Sequence, residues 1–192
     1  MALWGKSDAD ESKPKWLTTA EKKEVYATAS GWVREAGSSW SGNGNTSAQA
    51  EVLACIGSLS TDIGAADVTE VEWITTAADK SAGFTLSVRV RYNEAVTITG
   101  SPTLAVTNSG SARGPHTLVY ASGTGSNELV FSLVIAAANA ATDADDVLSI
   151  AAQNILKPGG ATMKDATGTA TDSAVAISGT QGTAAGTITV VA

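Results

Sequence analysis

The feature of this sequence that most constrains its fold is a strict alternation of apolar and polar residues over positions 84–92. The apolar residues are Phe84, Leu86, Val88, Val90 and Tyr92, and the polar residues are Thr85, Ser87, Arg89 and Arg91. Successive side chains of a β-strand point to opposite faces, so one face of this segment is apolar. We therefore predict a half-buried strand whose apolar side chains lie opposite those of a second strand, Leu129, Phe131, Leu133 and Ile135.

Shorter β-prone segments separated by turn residues occur on both sides of this strand. Strands are predicted at 68–75, 96–99, 103–107, 117–121, 129–135, 147–151, 174–177 and 187–191, with a hairpin broken at Ser30-Gly31 in 25–40. In 68–75, Glu70 and Glu72 are expected to face outward. For 48–59 a strand is favoured over a helix, with Cys55 as a small buried hydrophobe. Strands of this length with Gly, Ser, Asn and Pro between them favour an antiparallel β-sandwich.

The composition is that of a globular protein with small side chains. Of the 192 residues, 43% are hydrophobic, 5% are aromatic and 16% are charged. This length suits one domain of ordinary size or two small ones. A single cysteine cannot form an intramolecular disulfide, so we expect no disulfide framework.

The negative charge is concentrated away from the amino terminus. The net charge is −7, and residues 1–40 carry equal numbers of acidic and basic side chains, so the excess acids lie in 41–192. An acidic protein repels nucleic-acid phosphates and anionic lipids, which disfavours both as partners. Residues 1–14 do not resemble a secretion signal and no run of 18 apolar residues occurs, so we expect synthesis in the cytoplasm.

Three regions are predicted along the chain: an extended docking arm at 1–24, a small β-rich attachment region at 25–67 and a β-sandwich at 68–192. Thr18 and Glu21 fit a capping box for about one helical turn. Large aromatic side chains along a polar segment are good anchors in the pockets of another protein. The candidate partner-binding residues are Trp4, Trp16 and Trp32, although packing of Trp4 and Trp16 on the chain's own sandwich stays an alternative.

Few residues offer catalytic chemistry. His116 is the only histidine, and between Pro115 and Thr117 it is expected to be a solvated loop residue. No nucleophile elbow, P-loop or paired-cysteine motif occurs. The carboxylates considered as a glycosidase pair are Glu70, Glu72, Glu94 and Glu128, but they qualify by residue type alone. We expect no enzyme activity and no cofactor.

The closely spaced acids Asp143, Asp145 and Asp146 are the candidate ligands for a metal ion, because Ca²⁺ binds several oxygen atoms at once. Counted from Asp143, however, the sixth and twelfth positions are Leu148 and Asn154, where a Ca²⁺-binding EF-hand loop needs Gly and an acid. These carboxylates are expected to be solvated, or to cap a turn before the strand at Val147.

The segments FTLSVRVRYNEAVTITGSPTLAVTN, LVYASGTGSNELVFSLVI and LKPGGATMKDATGTA share a pattern with a known family. The matching residues are Asn93-Glu94, Val96, Gly100, Pro102, Leu104, Tyr120, Ser122-Gly123, Gly125, Leu129, Phe131, Gly160-Ala161, Asp165-Ala166 and Gly168. They resemble the immunoglobulin-like repeats of large bacterial surface and motility proteins, over roughly residues 69–178. The resemblance implies an immunoglobulin-like antiparallel β-sandwich, present here as one copy rather than an array.

The amino-terminal third resembles the start of virion structural proteins of tailed phages that infect marine cyanobacteria. The resemblance is carried by Leu3-Trp4-Gly5, Lys13-Pro14-Lys15, Gly31-Trp32-Val33 and 52–59. It implies a capsid, neck or tail component, and no catalytic residues come with it.

From these resemblances we expect a structural protein that decorates or cements the outside of a phage capsid. Its expected partners are the major capsid protein or other virion proteins, and further copies of itself in the assembly. The alternatives are a neck or tail accessory protein, and a carbohydrate- or host-surface-binding module on the virion that takes a host glycan. Fold alone does not choose among them, because sandwiches host many functions.

Overall fold

The computed structural model describes residues 13–138, 140–167 and 171–192, and they form a mainly β protein. The described residues form three short α-helices, α1 (Thr19–Lys23), α2 (Leu59–Asp62) and α3 (Gly179–Ala185), and a 3₁₀ turn at Pro158–Gly160. The strands are β1 (Val25–Thr28), β2 (Gly31–Arg34), β3 (Glu51–Cys55), β4 (Val68–Trp73), β5 (Ala78–Asp79), β6 (Phe84–Thr99), β7 (Thr103–Asn108), β8 (His116–Ser122), β9 (Ser126–Ile135), β10 (Val147–Ser149), β11 (Gln153–Asn154), β12 (Thr162–Asp165), β13 (Ala176–Ile177) and β14 (Thr187–Val191).

The predicted strand at 84–92 is the first part of a longer one, β6. Its first half lies between β4 and β9, and its second half pairs with β12. The register with β9 shifts between Arg91 and Val96, which marks a bulge. The separate strand predicted at 96–99 was therefore wrong, because the bulge lets one continuous strand exchange partners without a turn.

Strand pairing forms one large mixed sheet in the order β3-β2-β1-β6-β9-β8-β7-β10-β14-β5, with β4 and β12 also on β6. Strands β11 and β13 form a small second sheet. Most pairs are antiparallel as predicted, but β1 pairs with β6, and β14 with β5, in parallel. The purely antiparallel expectation was wrong at these two places, where long intervening segments permit a parallel return.

The apolar face of β6 lies in the main hydrophobic core. Leu86, Val88, Val90 and Tyr92 are completely buried, which confirms the predicted alternation. Val88 is registered with Phe131 of β9, so these two apolar rows lie side by side in one sheet rather than across the core. Residues from the carboxyl-terminal part of the chain complete the core, namely Leu148, Ile150, Ile155, Met163, Ile177, Ile188 and Val190.

A second, smaller core forms in the amino-terminal part of the chain, from Leu17, Val25, Ala27, Trp32 and Leu59. We call residues 13–63, which surround it, the amino-terminal unit. Residues 13–24 are therefore not an extended arm. The predicted capping box of Thr18 and Glu21 starts α1, and the buried Leu17 holds this segment on the unit.

The predicted hairpin at Ser30-Gly31 is confirmed by β1 and β2, which pair from Val25 with Arg34 to Thr28 with Gly31. Gly31 has φ +131°, and a Cβ there would lie 2.0 Å from the Ala54 carbonyl oxygen of β3. Only glycine lets β3 approach this closely. Cys55 at the end of β3 is exposed, so its predicted burial was wrong: β3 is the outermost strand of the sheet and has a neighbour on one side only.

Replacing Val88 by Asp should abolish folding, because it places an unpaired carboxylate in the main core. The cost is several kcal/mol, comparable with the roughly 5–15 kcal/mol that stabilises a whole domain. The matched control is Thr85→Asp, on the exposed face of the same strand. Circular dichroism melts of both variants test the register. Equal melting temperatures for the two variants would contradict it.

Candidate functional site

The outer face of β6 carries a cluster of charged side chains around Arg91. This guanidinium is only 5% exposed. Its Nη1 donates to Glu35 Oε1 at 2.6 Å, and Nη2 lies 2.9 Å from Glu128 Oε1 and 3.3 Å from Glu72 Oε1. Nε lies 3.9 Å from Glu70 Oε2. Carboxylates from β2–β3, β4 and β9 therefore converge on one buried cation.

Two further cations belong to this charged cluster. Arg89 Nη1 lies 2.8 Å from Glu72 Oε1 and 3.5 Å from Glu128 Oε1, and Lys23 of α1 pairs with Glu70. Glu70 and Glu72 lie on the outer side of β4, as predicted, but they are not surrounded by solvent. Their side chains are only 12% and 34% exposed, because the amino-terminal unit covers this half of the face.

Glu35 is the residue of the charged cluster that the sequence did not reveal. Burial raises its pKa to about 7, and the nearby Glu128 carboxylate adds to the rise, while Arg91 opposes it. Its other contact is Asn127, whose Nδ2 donates to Oε2 at 3.4 Å. No motif marks Glu35, because its environment comes from contacts with residues distant in sequence, Arg91 of β6 and Asn127 of β9.

A polar cavity of about 410 Å³ opens beside the charged cluster. Its lining includes Glu24, Glu35, Arg89, Arg91 and Glu128. The carboxylates that reach it are tied to arginines of the same chain, and Glu24 Oε2 accepts the N–H of Ser39 at 2.7 Å. The arrangement joins the amino-terminal unit to the sheet by ion pairs.

Glu94 lies apart from the charged cluster, although it was considered together with Glu70, Glu72 and Glu128. Its side chain is completely buried, and Oε2 accepts a hydrogen bond from Thr167 Oγ1 at 3.3 Å. Oε1 has no hydrogen-bond partner among the residues that the structure describes. Burial, with smaller contributions from Asp165 and Asp67, raises the pKa of Glu94 to about 8. Glu94 is therefore not part of the charged cluster that contains Glu70, Glu72 and Glu128.

The candidate metal ligands Asp143, Asp145 and Asp146 are arranged differently from a Ca²⁺ loop. Asp146 is buried and binds Arg113, whose Nε donates at 2.7 Å. Its carboxylate also accepts the backbone N–H of Asp143 at 2.8 Å, which is the predicted turn cap. Asp143 pairs with Lys80 at 2.5 Å. Among the described residues, no group of three or more His, Cys, Asp and Glu is placed to hold a metal ion.

His116 was predicted to be a solvated loop residue, and this was wrong. It begins β8, is only 4% exposed, and its Nε2 lies 3.2 Å from Asn108 Nδ2. Burial lowers the pKa of His116 against an opposing effect of Asp146. The ring is placed inward because β8 begins one residue earlier than the sequence suggested.

The predicted partner-binding tryptophans have different environments. Trp32 is completely buried in the amino-terminal unit, so its assignment as a partner-binding residue was wrong: residues distant in sequence close a core around it. Trp4 lies outside the described residues. Trp16 is 58% exposed, between the exposed Lys15 and the buried Leu17.

Basic side chains surround the segment that carries Trp16. Lys13 Nζ donates to the Lys22 carbonyl at 2.8 Å, which holds the start of this segment on α1. A shallow depression of about 210 Å³ is lined by Lys13, Thr19, Lys22, Lys23 and Thr69. Tryptophan is among the residue types most enriched in protein-binding hot spots, so the exposed Trp16 is a candidate contact residue.

Comparison of the chain with protein-family models, with curated proteins and with solved structures finds no match. In the described part of the chain, no helix has the length and apolar character that crossing a membrane requires.

Stability should fall as the pH rises from about 5 to about 9, because Glu35 and Glu94 favour the folded state when protonated. A carboxyl with a raised pKa contributes fully below its ordinary value of 4.5. The contribution is lost as the pH passes about 7 for Glu35 and about 8 for Glu94. Glutamine imitates the protonated acid and does not titrate. The melting temperature of Glu94→Gln minus that of wild type should therefore be about 5 °C larger at pH 9 than at pH 5.

Thermal melts across this pH range test the prediction. Glu35→Gln should show a smaller gain, which develops above pH 4.5 and is complete near pH 7. The control is Glu51→Gln at a side chain that is 60% exposed, which should differ from wild type by a constant amount. A constant offset for Glu94→Gln would contradict the burial argument.

Proposed function

We propose that this chain is a non-enzymatic structural protein of a tailed-phage virion, which decorates or cements the outer surface of the capsid. In this proposal the amino-terminal unit attaches to the major capsid protein or another virion protein. The sheet and its core form an immunoglobulin-like body that faces away from the packaged DNA.

The observation that carries the proposal is the division of the chain into two parts with different surfaces. The amino-terminal unit has its own small core and presents Trp16, which is 58% exposed, beside lysines. The remainder of the chain holds the excess of acidic residues. A large apolar side chain left in water suits attachment to another protein, and an acidic body suits the side of a shell remote from DNA.

Local geometry supports the immunoglobulin-like assignment of the body. In the β8–β9 hairpin, the motif residue Tyr120 accepts the backbone N–H of Thr124 at 2.7 Å through its hydroxyl. Gly123 has φ +112°, and a Cβ there would lie 1.9 Å from the Glu128 carbonyl oxygen. Two residues of the sequence pattern thus have a physical role in one tight hairpin.

Two alternatives stay open: a neck or tail accessory protein, and a glycan-binding module on the virion. A glycan-binding face usually presents an aromatic ring on which a sugar stacks. In the described part of the body, Tyr92 and Phe131 are buried and Trp73, Phe84 and Tyr120 are partly buried, which favours decoration over glycan binding.

The attachment prediction is that Trp16→Ala abolishes most binding to shells while leaving the fold intact. Truncation of a hot-spot tryptophan typically costs about 2–4 kcal/mol of binding free energy, a loss of roughly 30-fold to 1000-fold in affinity. Val191→Ala is the matched control, because Val191 is 52% exposed on β14 of the body. Cosedimentation with purified shells assembled without this protein measures the binding. Equal binding of Trp16→Ala and Val191→Ala would refute the proposed attachment surface.

The cement role predicts that shells saturated with the protein resist heat better than bare shells. A protein that binds only the assembled state stabilises it by mass action. Differential scanning calorimetry of shells with and without the protein measures the effect. If shell stability is unchanged and adsorption of particles to host cells is reduced, the protein is a host-surface-binding module instead. Binding to tail fractions alone would favour the hypothesis of a neck or tail accessory protein.

A further inference from the structure

The outer face of the large sheet is divided into two halves. The half around Arg91 is charged and covered by the amino-terminal unit, as described above. The other half follows a row of directly registered residues across β6, β9, β8 and β7. These are Ser87, Ser132, Val119 and Thr103, continued by Leu156 beside Thr103.

Among the described residues, this second half, which we call the neutral face, carries no charged side chain. Its members are Ile74, Thr85, Ser87, Thr103, Ala105, Thr117, Val119, Val130, Ser132, Val134 and Leu156. Ile74 joins the row because its backbone N–H donates to the Ser87 carbonyl at 3.0 Å. Arg89 and its ion pairs with Glu72 and Glu128 mark the border with the charged half.

Exposed apolar side chains are concentrated on the neutral face. The described part of the chain has seven exposed large hydrophobic residues, and four of them lie here. They are Ile74 at 38%, Val119 at 41%, Leu156 at 63% and Val134 at 74% exposure. Scattered single hydrophobics are normal on a protein surface, whereas a contiguous uncharged group of them indicates an interaction site.

We propose that the neutral face pairs with the same face of a second copy of this chain. Two molecules of net charge −7 repel one another at long range. On the neutral face two copies can meet without opposing like charges. A strongly charged partner would gain no ion pair on it. The same patch on both copies gives a closed two-fold dimer.

The size of the neutral face predicts a weak dimer. Six strand positions about 4.8 Å apart and about 14 Å of strand length give roughly 350 Å², against about 800 Å² per partner in a standard interface. We therefore expect a Kd of about 0.1–1 mM. Pairing of this strength is substantial where copies are held close together on one surface. It is a property of the isolated chain and does not depend on the virion assignment.

Sedimentation equilibrium of the full chain between about 10 µM and about 1 mM tests the pairing. The weight-average mass of wild type should rise toward that of a dimer. The double variant Val119→Glu/Val134→Glu should stay monomeric, because it opposes four new carboxylates across the two-fold axis. The control Thr187→Glu/Thr189→Glu adds the same charge at exposed positions of β14 and should associate nearly as wild type does.

Melting curves establish that both double variants fold. If the first does not, Ser132→Lys, at the centre of the row, replaces it and should also be monomeric. Wild type that stays monomeric up to about 1 mM overturns the proposal. So does association that persists in the neutral-face variant or is lost in the β14 control, since either result places the contact elsewhere.

Discussion

The burial of one arginine organises much of this structure. An ionised guanidinium removed from water is costly unless carboxylates and carbonyl groups surround it. Arg91 meets this requirement with carboxylates from three separate segments, Glu35 after β2, Glu70 and Glu72 on β4, and Glu128 on β9. The ion pairs of Arg91 thus depend both on the register of β4, β6 and β9 and on the position of the amino-terminal unit.

The parts of the fold that could be predicted are those set by local pattern. The alternation at 84–92 identified the buried face of β6, and glycine marked the β1–β2 turn, because both signals act over a few residues. Strand β14 was predicted with its observed bounds. Helix α3 was missed although Ser178 and Gln181 form a capping box, since its glycines and small side chains show no apolar period.

The parts that could not be predicted depend on contacts between distant residues. Trp32 was predicted to bind a partner, yet Leu17 and Leu59, which are distant in sequence, form a core with it. Arg91 belongs to the polar set of its strand by alternation, and alternation does not reveal that another unit covers that face. At the candidate site Trp16 is exposed, and its role as an anchor stays a prediction. The pKa of Glu35 follows from packing that no local pattern encodes.

The two halves of the outer face also relate attachment to pairing. The charged half holds the amino-terminal unit, which carries Trp16, on one part of the sheet. The neutral half of the same face stays uncovered by that unit and can meet another copy. A dimer formed through that face would carry two Trp16 anchors without new contacts to the shell. Once one anchor is bound, the second binds at an effective concentration set by the dimer rather than by the solution. Weak pairing and a small attachment surface can therefore reinforce one another, provided that the shell presents two sites at the spacing of the paired anchors.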